Sequence, residues 1–120
     1  MDQKEIAILA AKALDAKRAK DIVVLKVGEM TVITDYMVIA TGTSAPQVKA
    51  LCEQVEDELG KVDVFARRRE GVNDGHWCVL DYGEIMVHVF HEQDREYYQL
   101  ERLWADGTNE VQVDYDAEEA

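Results

Sequence analysis

A mixed five-stranded α/β sheet with flanking helices is the fold this sequence predicts, on three observations. Two segments place apolar residues at helical spacing behind a capping residue, and β-branched and aromatic runs of strand length lie between and beyond them. Hydrophobic residues make up 48% of the 120, as in an ordinary folded domain. The predicted order is α-β-β-α-β-β-β-α around one core.

Asp2, with Glu5 three residues on, has capping-box spacing and opens the first helix. Ile6, Leu9, Ala10, Ala13 and Leu14 then share a face, with Lys12 and Lys17 outside it, and the pattern fades over 17–20. Residues 22–27 are a β-branched run between Asp21 and Gly28 and predict the first strand. Residues 36–41 form a second apolar run, long enough for a strand covered on both faces. The clearest local signal is Thr41-Gly42-Thr43-Ser44-Ala45-Pro46-Gln47. Ser44 fits an N-cap, Pro46 is tolerated in the first turn, and Gln47 stands at N3. Val48, Leu51, Cys52, Val55 and Leu59 continue the stripe to a stop at Gly60.

Residues 62–66 predict a third strand that runs into Arg67-Arg68-Arg69, and 70–75 predict a loop. The runs 77–82 and 85–91 flank Gly83-Glu84 as an antiparallel hairpin. A last helix is predicted over 94–104, with Tyr97, Leu100 and Trp104 along one side. The domain therefore spans 1–105, and 106–120 is an acidic tail, predicted to be mobile.

Thirteen basic against 25 acidic side chains leave a net charge of −12, most of it in the second half of the chain. Such a surface repels phosphate, which excludes tight non-specific binding of DNA or RNA and leaves little direct nucleic-acid contact. Basic proteins are the natural partners, because opposite charge steers encounter. No apolar stretch approaches the length of about 18 residues that a membrane span needs, and the N-terminus lacks a signal-peptide layout. A soluble, cytoplasmic protein is expected. Cys52 and Cys78 stand alone in apolar segments, which predicts two small core residues rather than a disulfide or a metal site.

Catalytic machinery is not visible, and no cofactor is implied. Gly42-Thr43-Ser44 before a helix has the form of a phosphate cradle, but no GxxxxGK[ST] loop or adjacent lysine accompanies it, and helix capping accounts for it. A strand-turn-helix of this kind also opens nucleotidyltransferase domains, which need paired carboxylates on the next strand to hold their metals. The strand predicted next, Val62-Asp63-Val64-Phe65-Ala66, has a single acid. His88 and His91, three apart on a strand, point to opposite faces and cannot share a metal.

Surface features are more informative. Alternation puts Trp77, Val79 and Asp81 on one face of the hairpin and Cys78, Leu80 and Tyr82 on the other. If the Cys78/Leu80 face packs on helices, Trp77 stands exposed beside Asp81 as an interface anchor; otherwise it is core. The last helix mixes Arg95, Tyr97, Tyr98 and Arg102 with acids, either an interface or an amphipathic helix with a salt-bridged outer face. Arg67-Arg68-Arg69 reads as a solvated strand end near acidic neighbours, with contact to an RNA phosphate as the weaker alternative.

These residues carry a resemblance. The chain resembles the ribosomal silencing factor (Iojap-like) family over roughly residues 1–105. The matching stretches include Thr34-Asp35-Tyr36-Met37-Val38-Ile39-Ala40-Thr41-Gly42-Thr43-Ser44, Glu70-Gly71, Trp77-Cys78-Val79-Leu80-Asp81-Tyr82-Gly83, Val87-His88-Val89-Phe90 and Arg95-Glu96-Tyr97-Tyr98-Gln99-Leu100-Glu101-Arg102-Leu103-Trp104. The resemblance implies a nucleotidyltransferase-like sheet lacking the catalytic carboxylates, and a translation repressor rather than an enzyme. Such a protein binds a basic large-subunit ribosomal protein (uL14-type) at the intersubunit face. Bound there, it sterically blocks joining of the ribosomal subunits when nutrients are scarce. Carried onto this sequence, the partner surface centres on Trp77 and Asp81, with Tyr82, His88 and Tyr98 beside them and Asp35 and Glu70 as rim charges. Alternative readings are an assembly factor for the large subunit and a nucleotide-handling enzyme. An exposed aromatic hairpin also favours a homodimer of the free protein.

Overall fold

The computed structural model describes residues 1–116; Glu118 and Glu119 of the expected tail lie outside the described residues. Helix α1 (Gln3–Ala16) is followed by β1 (Lys20–Lys26), β2 (Tyr36–Gly42) and α2 (Ala45–Gly60). Then come β3 (Arg68–Glu70), β4 (Trp77–Asp81), β5 (Ile85–His91), α3 (Glu92–Tyr98) and α4 (Glu101–Trp104). The sheet order is β1-β2-β5-β4-β3. The β2–β5 pair is parallel and the other three are antiparallel, so the sheet is mixed, as expected.

Local chemistry fixes the two long helices. The Glu5 amide donates to Asp2 Oδ1 at 2.8 Å and the Asp2 amide returns to Glu5 Oε1, closing the capping box. Ser44 Oγ accepts from the Gln47 amide at 3.2 Å. The Gln47 carbonyl turns back instead to the amide and hydroxyl of Thr43. Both helices lie on one face of the sheet. Ala10, Leu14, Val48, Leu51 and Val55 meet Val24, Val38, Ala40, Leu80, Val87 and Val89 in the main core. Strand β2 is buried along its whole length, which matches its unbroken apolar sequence.

Three expectations are corrected. No strand forms over 62–66. The Val62 and Val64 amides both donate to the Leu59 carbonyl, and Asp63 takes a left-handed φ of 62°, so this β-branched run is consumed in closing α2. The third strand is the basic triplet's own end, Arg68–Glu70. The last helix is broken: Gln99 adopts φ 48°, and the chain restarts as α4. Turning there brings Leu100 and Trp104 onto a second, smaller core of Leu25, Val27, Met37, Ile39 and Phe90 on the opposite sheet face. Finally, Cys52 of α2 and Cys78 of β4 are joined sulfur to sulfur, with Cα atoms 7.0 Å apart. Both are fully buried, as core residues should be, but the packing of α2 on β4 brings them together from 26 residues apart.

Beyond α4 the chain lies along β1. The Lys26 amide donates to the Asn109 carbonyl and the Val111 amide to the Val24 carbonyl, with Glu110 opposite Leu25. Val111 and Val113 pack against the main core. The Asn109 side chain donates to the Lys26 and Trp104 carbonyls, pinning the crossing.

Candidate functional site

The face of the sheet away from α1 and α2 is only half covered. Over β1 and β2 it is closed by Leu100 and Trp104. Over β3, β4 and the start of β5 it stays open, in a shallow depression lined by Arg68, Glu70, Val79, Asp81 and Met86. Trp77 stands at the boundary, partly buried against the smaller core rather than exposed as expected, because Phe90 and Tyr98 reach its ring. Because Cys78 and Leu80 are fully buried on the helix side, alternation turns Trp77, Val79 and Asp81 toward this face.

Four aromatic rings assemble around that boundary. The indole of Trp77 stacks on Phe90 with centroids 4.8 Å apart, tilts against Tyr98 at 4.9 Å, and lies 6.0 Å from His88. Its Nε1–H donates to His88 Nδ1 at 3.1 Å. Accepting there leaves the proton of a neutral imidazole on Nε2, which is buried without a partner among the described residues. Burial pushes the His88 pKa from an ordinary 6.5 down to about 4, so the ring is uncharged near neutrality.

Gly71 places the loop ahead of Trp77. It has φ 73°, and a Cβ there would run into the Trp77 carbonyl, so both the backbone angle and the close approach require glycine. At the other end of β4, Asp81 Oδ1 accepts from the Gly83 amide at 2.7 Å, so one carboxylate oxygen holds the hairpin turn. Arg68 is its register neighbour on β3.

The expected site residues therefore divide. Trp77, Asp81, His88, Tyr98 and Glu70 share the side of the sheet away from α1 and α2. Tyr82 points the other way, its ring packed on the main core. Its hydroxyl is buried and unpartnered among the described residues, and burial pushes its pKa up to about 12. Asp35 precedes β2 and lines a separate cleft with Arg67, Gly83 and Glu84. The two tyrosines of α3 exchange roles relative to a simple helical stripe: Tyr97 is 80% exposed, whereas Tyr98 touches the indole. Arg95 is buried rather than on a salt-bridged outer face.

Met86 and Arg68 were missed by sequence reasoning. Met86 was within reach, since it stands opposite Asp81 in the hairpin register. Arg68 was not, because its strand was sought several residues too early. The basic triplet does not act together: Arg69 turns to the helix side and pairs with Glu56 through two bonds of 3.0 and 3.1 Å. Among the described residues no cluster of three His, Cys, Asp or Glu is arranged to hold a metal ion, and no helix is long and apolar enough to cross a membrane.

The family model described as "Ribosomal silencing factor during starvation" matches residues 1–120. The chain is 39% identical over 106 residues to Ribosomal silencing factor RsfS of Bacillus subtilis, covering 88% of this chain and 90% of that one. It is 30% identical over 102 residues to Protein Iojap, chloroplastic, of Zea mays, covering 85% of this chain and 44% of the longer plant protein. A crystal structure of a protein from Chromobacterium violaceum superposes with a TM-score of 0.85 at 36% identity, over 94% of this chain and 96% of that one.

Proposed function

The chain belongs to the ribosomal silencing factor family, whose members are ribosome-associated regulators of translation, and we propose that it acts as a non-enzymatic repressor on the large subunit. In this reading the open half-face around Trp77 docks on a basic ribosomal protein of the uL14 type at the intersubunit surface, and the bulk of the domain obstructs subunit joining. The observation that carries it is the half-covered indole at the rim of an otherwise uncovered stretch of sheet. Tryptophan at the edge of a desolvated patch is a common hot spot, typically worth ~2 kcal/mol or more. The net charge of −12 supports a cationic partner by steering encounter. Steric exclusion needs no chemistry: free protein at about ten times its Kd leaves about a tenth of the subunits able to join. The protein then works in the cytoplasm, and the same face serves self-association when no ribosome is bound.

The test is co-sedimentation with salt-washed large and small subunits, each alone. The unaltered protein is expected to pellet with large subunits only, and Trp77→Ala to stay in the supernatant with a native circular dichroism spectrum. Full binding by a folded Trp77→Ala protein would overturn the assignment. A melting temperature raised by ATP and magnesium would favour a nucleotide-handling enzyme instead.

A further inference from the structure

We propose that His88 is a positioning residue, which fixes the orientation of the Trp77 indole through the bond from the indole N–H to its Nδ1 and so presents the docking anchor in one pose. The inference rests on the reading of Trp77 as that anchor. Phe90 and Tyr98 hold the indole by ring contacts, which are less directional than a hydrogen bond. An indole has a single polar atom, and it only donates. Its bond to His88 at 3.1 Å is the one hydrogen bond its side chain makes among the described residues.

The imidazole is a costly way merely to fill space. His88 is 5% exposed, and its second nitrogen is buried with nothing to bond among the described residues. A leucine or phenylalanine would fill the volume without an unsatisfied N–H. What the histidine supplies that they do not is an acceptor facing Trp77. Its place explains the reach: Trp77 pairs with Phe90 in the register, which makes His88 the diagonal neighbour two residues back along β5.

The experiment compares His88→Leu and His88→Asn, since the asparagine amide oxygen stands near the place of Nδ1. The first readout uses the free protein: the indole N–H resonance of Trp77, assigned against Trp104→Phe, and its rate of exchange with deuterium. In the unaltered protein this proton is expected downfield and protected. His88→Leu is expected to move it upfield and speed exchange at least tenfold, and His88→Asn to restore much of both. The second readout is affinity for large subunits, expected to fall about tenfold in His88→Leu and to recover in His88→Asn. An indole proton still downfield and protected in His88→Leu overturns the proposal, as does a released indole with unchanged affinity. Should His88→Leu fail to fold, a folded His88→Asn protein whose indole proton exchanges freely overturns it as well. If the unaltered protein ignores large subunits while the indole proton is bonded as described, the docking reading fails and takes the presentation role with it, and the bond to Trp77 stands as structure alone.

Discussion

Arg95 donates to Thr41 Oγ1 at 2.8 Å across the gap between α3 and the end of β2, while its Nε reaches both carboxylate oxygens of Glu101 at 3.2 Å. One buried guanidinium thus ties the broken C-terminal helix to the sheet and fixes the angle at which α4 returns. Removing it strands a buried hydroxyl and a partly buried carboxylate. Arg95→Ala is expected to lose about 3 kcal/mol of stability in urea denaturation. Glu101→Gln, which keeps an acceptor, is expected to lose less; equal losses would mean that the guanidinium acts through its charge pair with Glu101 alone and that the bond to Thr41 adds nothing.

If the open half-face docks as proposed, the two sides of β4 and β5 separate docking from folding. Met86→Lys puts a charge into the open depression and is expected to lower affinity for large subunits at least tenfold with little change in stability, because Met86 is only partly buried. Tyr82→Phe removes a hydroxyl that has no partner among the described residues, on the α1/α2 side, and is expected to leave affinity unchanged while shifting stability by about 1 kcal/mol or less, in the favourable direction. Reduced subunit binding by Tyr82→Phe would show that the wrong face had been chosen.

Acid weakens the protein through His88. Because burial lowers its pKa from 6.5 to about 4, the unfolded chain takes up this proton first as the pH falls. The associated stability is complete above pH 6.5 and is lost between 6.5 and about 4, a total on the order of 3 kcal/mol. Urea denaturation of the unaltered protein and of His88→Asn across this range isolates the contribution as their difference. A difference that does not change with pH would contradict it.

The link between Cys52 and Cys78 closes a span of 26 residues. Constraining a loop of that length in the unfolded chain is worth about 3.5 kcal/mol in the chain-entropy model. Dithiothreitol is therefore expected to lower the urea midpoint of the unaltered protein and to leave that of Cys52→Ala where it was. A midpoint indifferent to reductant in both would mean that the thiols are free in solution.

Sequence legibility followed the range of the forces involved. Helix α2 could be read because its cap, its stripe and its stop are all local. Residues 62–66 misled because β-branched side chains suit a strand, while their backbone donors were needed to finish the preceding helix. The break at Gln99 was hidden for the opposite reason: α4 turns back to bury Leu100 and Trp104 on a sheet face formed by distant residues. The same limit applied to the site. Alternation grouped Trp77, Val79 and Asp81 correctly, yet whether helices cover that side depends on long-range packing. The cysteines were read correctly as buried and wrongly as separate, since spacing along the chain does not reveal which strand a helix will lie upon.

The pairing of residues 109–111 with β1 has a practical side. It covers the Val24–Lys26 end of the β1 edge, whose backbone donors and acceptors would otherwise be vacant, while the far flank ends in the three exposed, charged residues of β3. A protein shortened at Trp104 to trim its acidic end would lose that seal. Its bared β1 edge would then be open to strands from neighbouring molecules, and aggregation is the expected result.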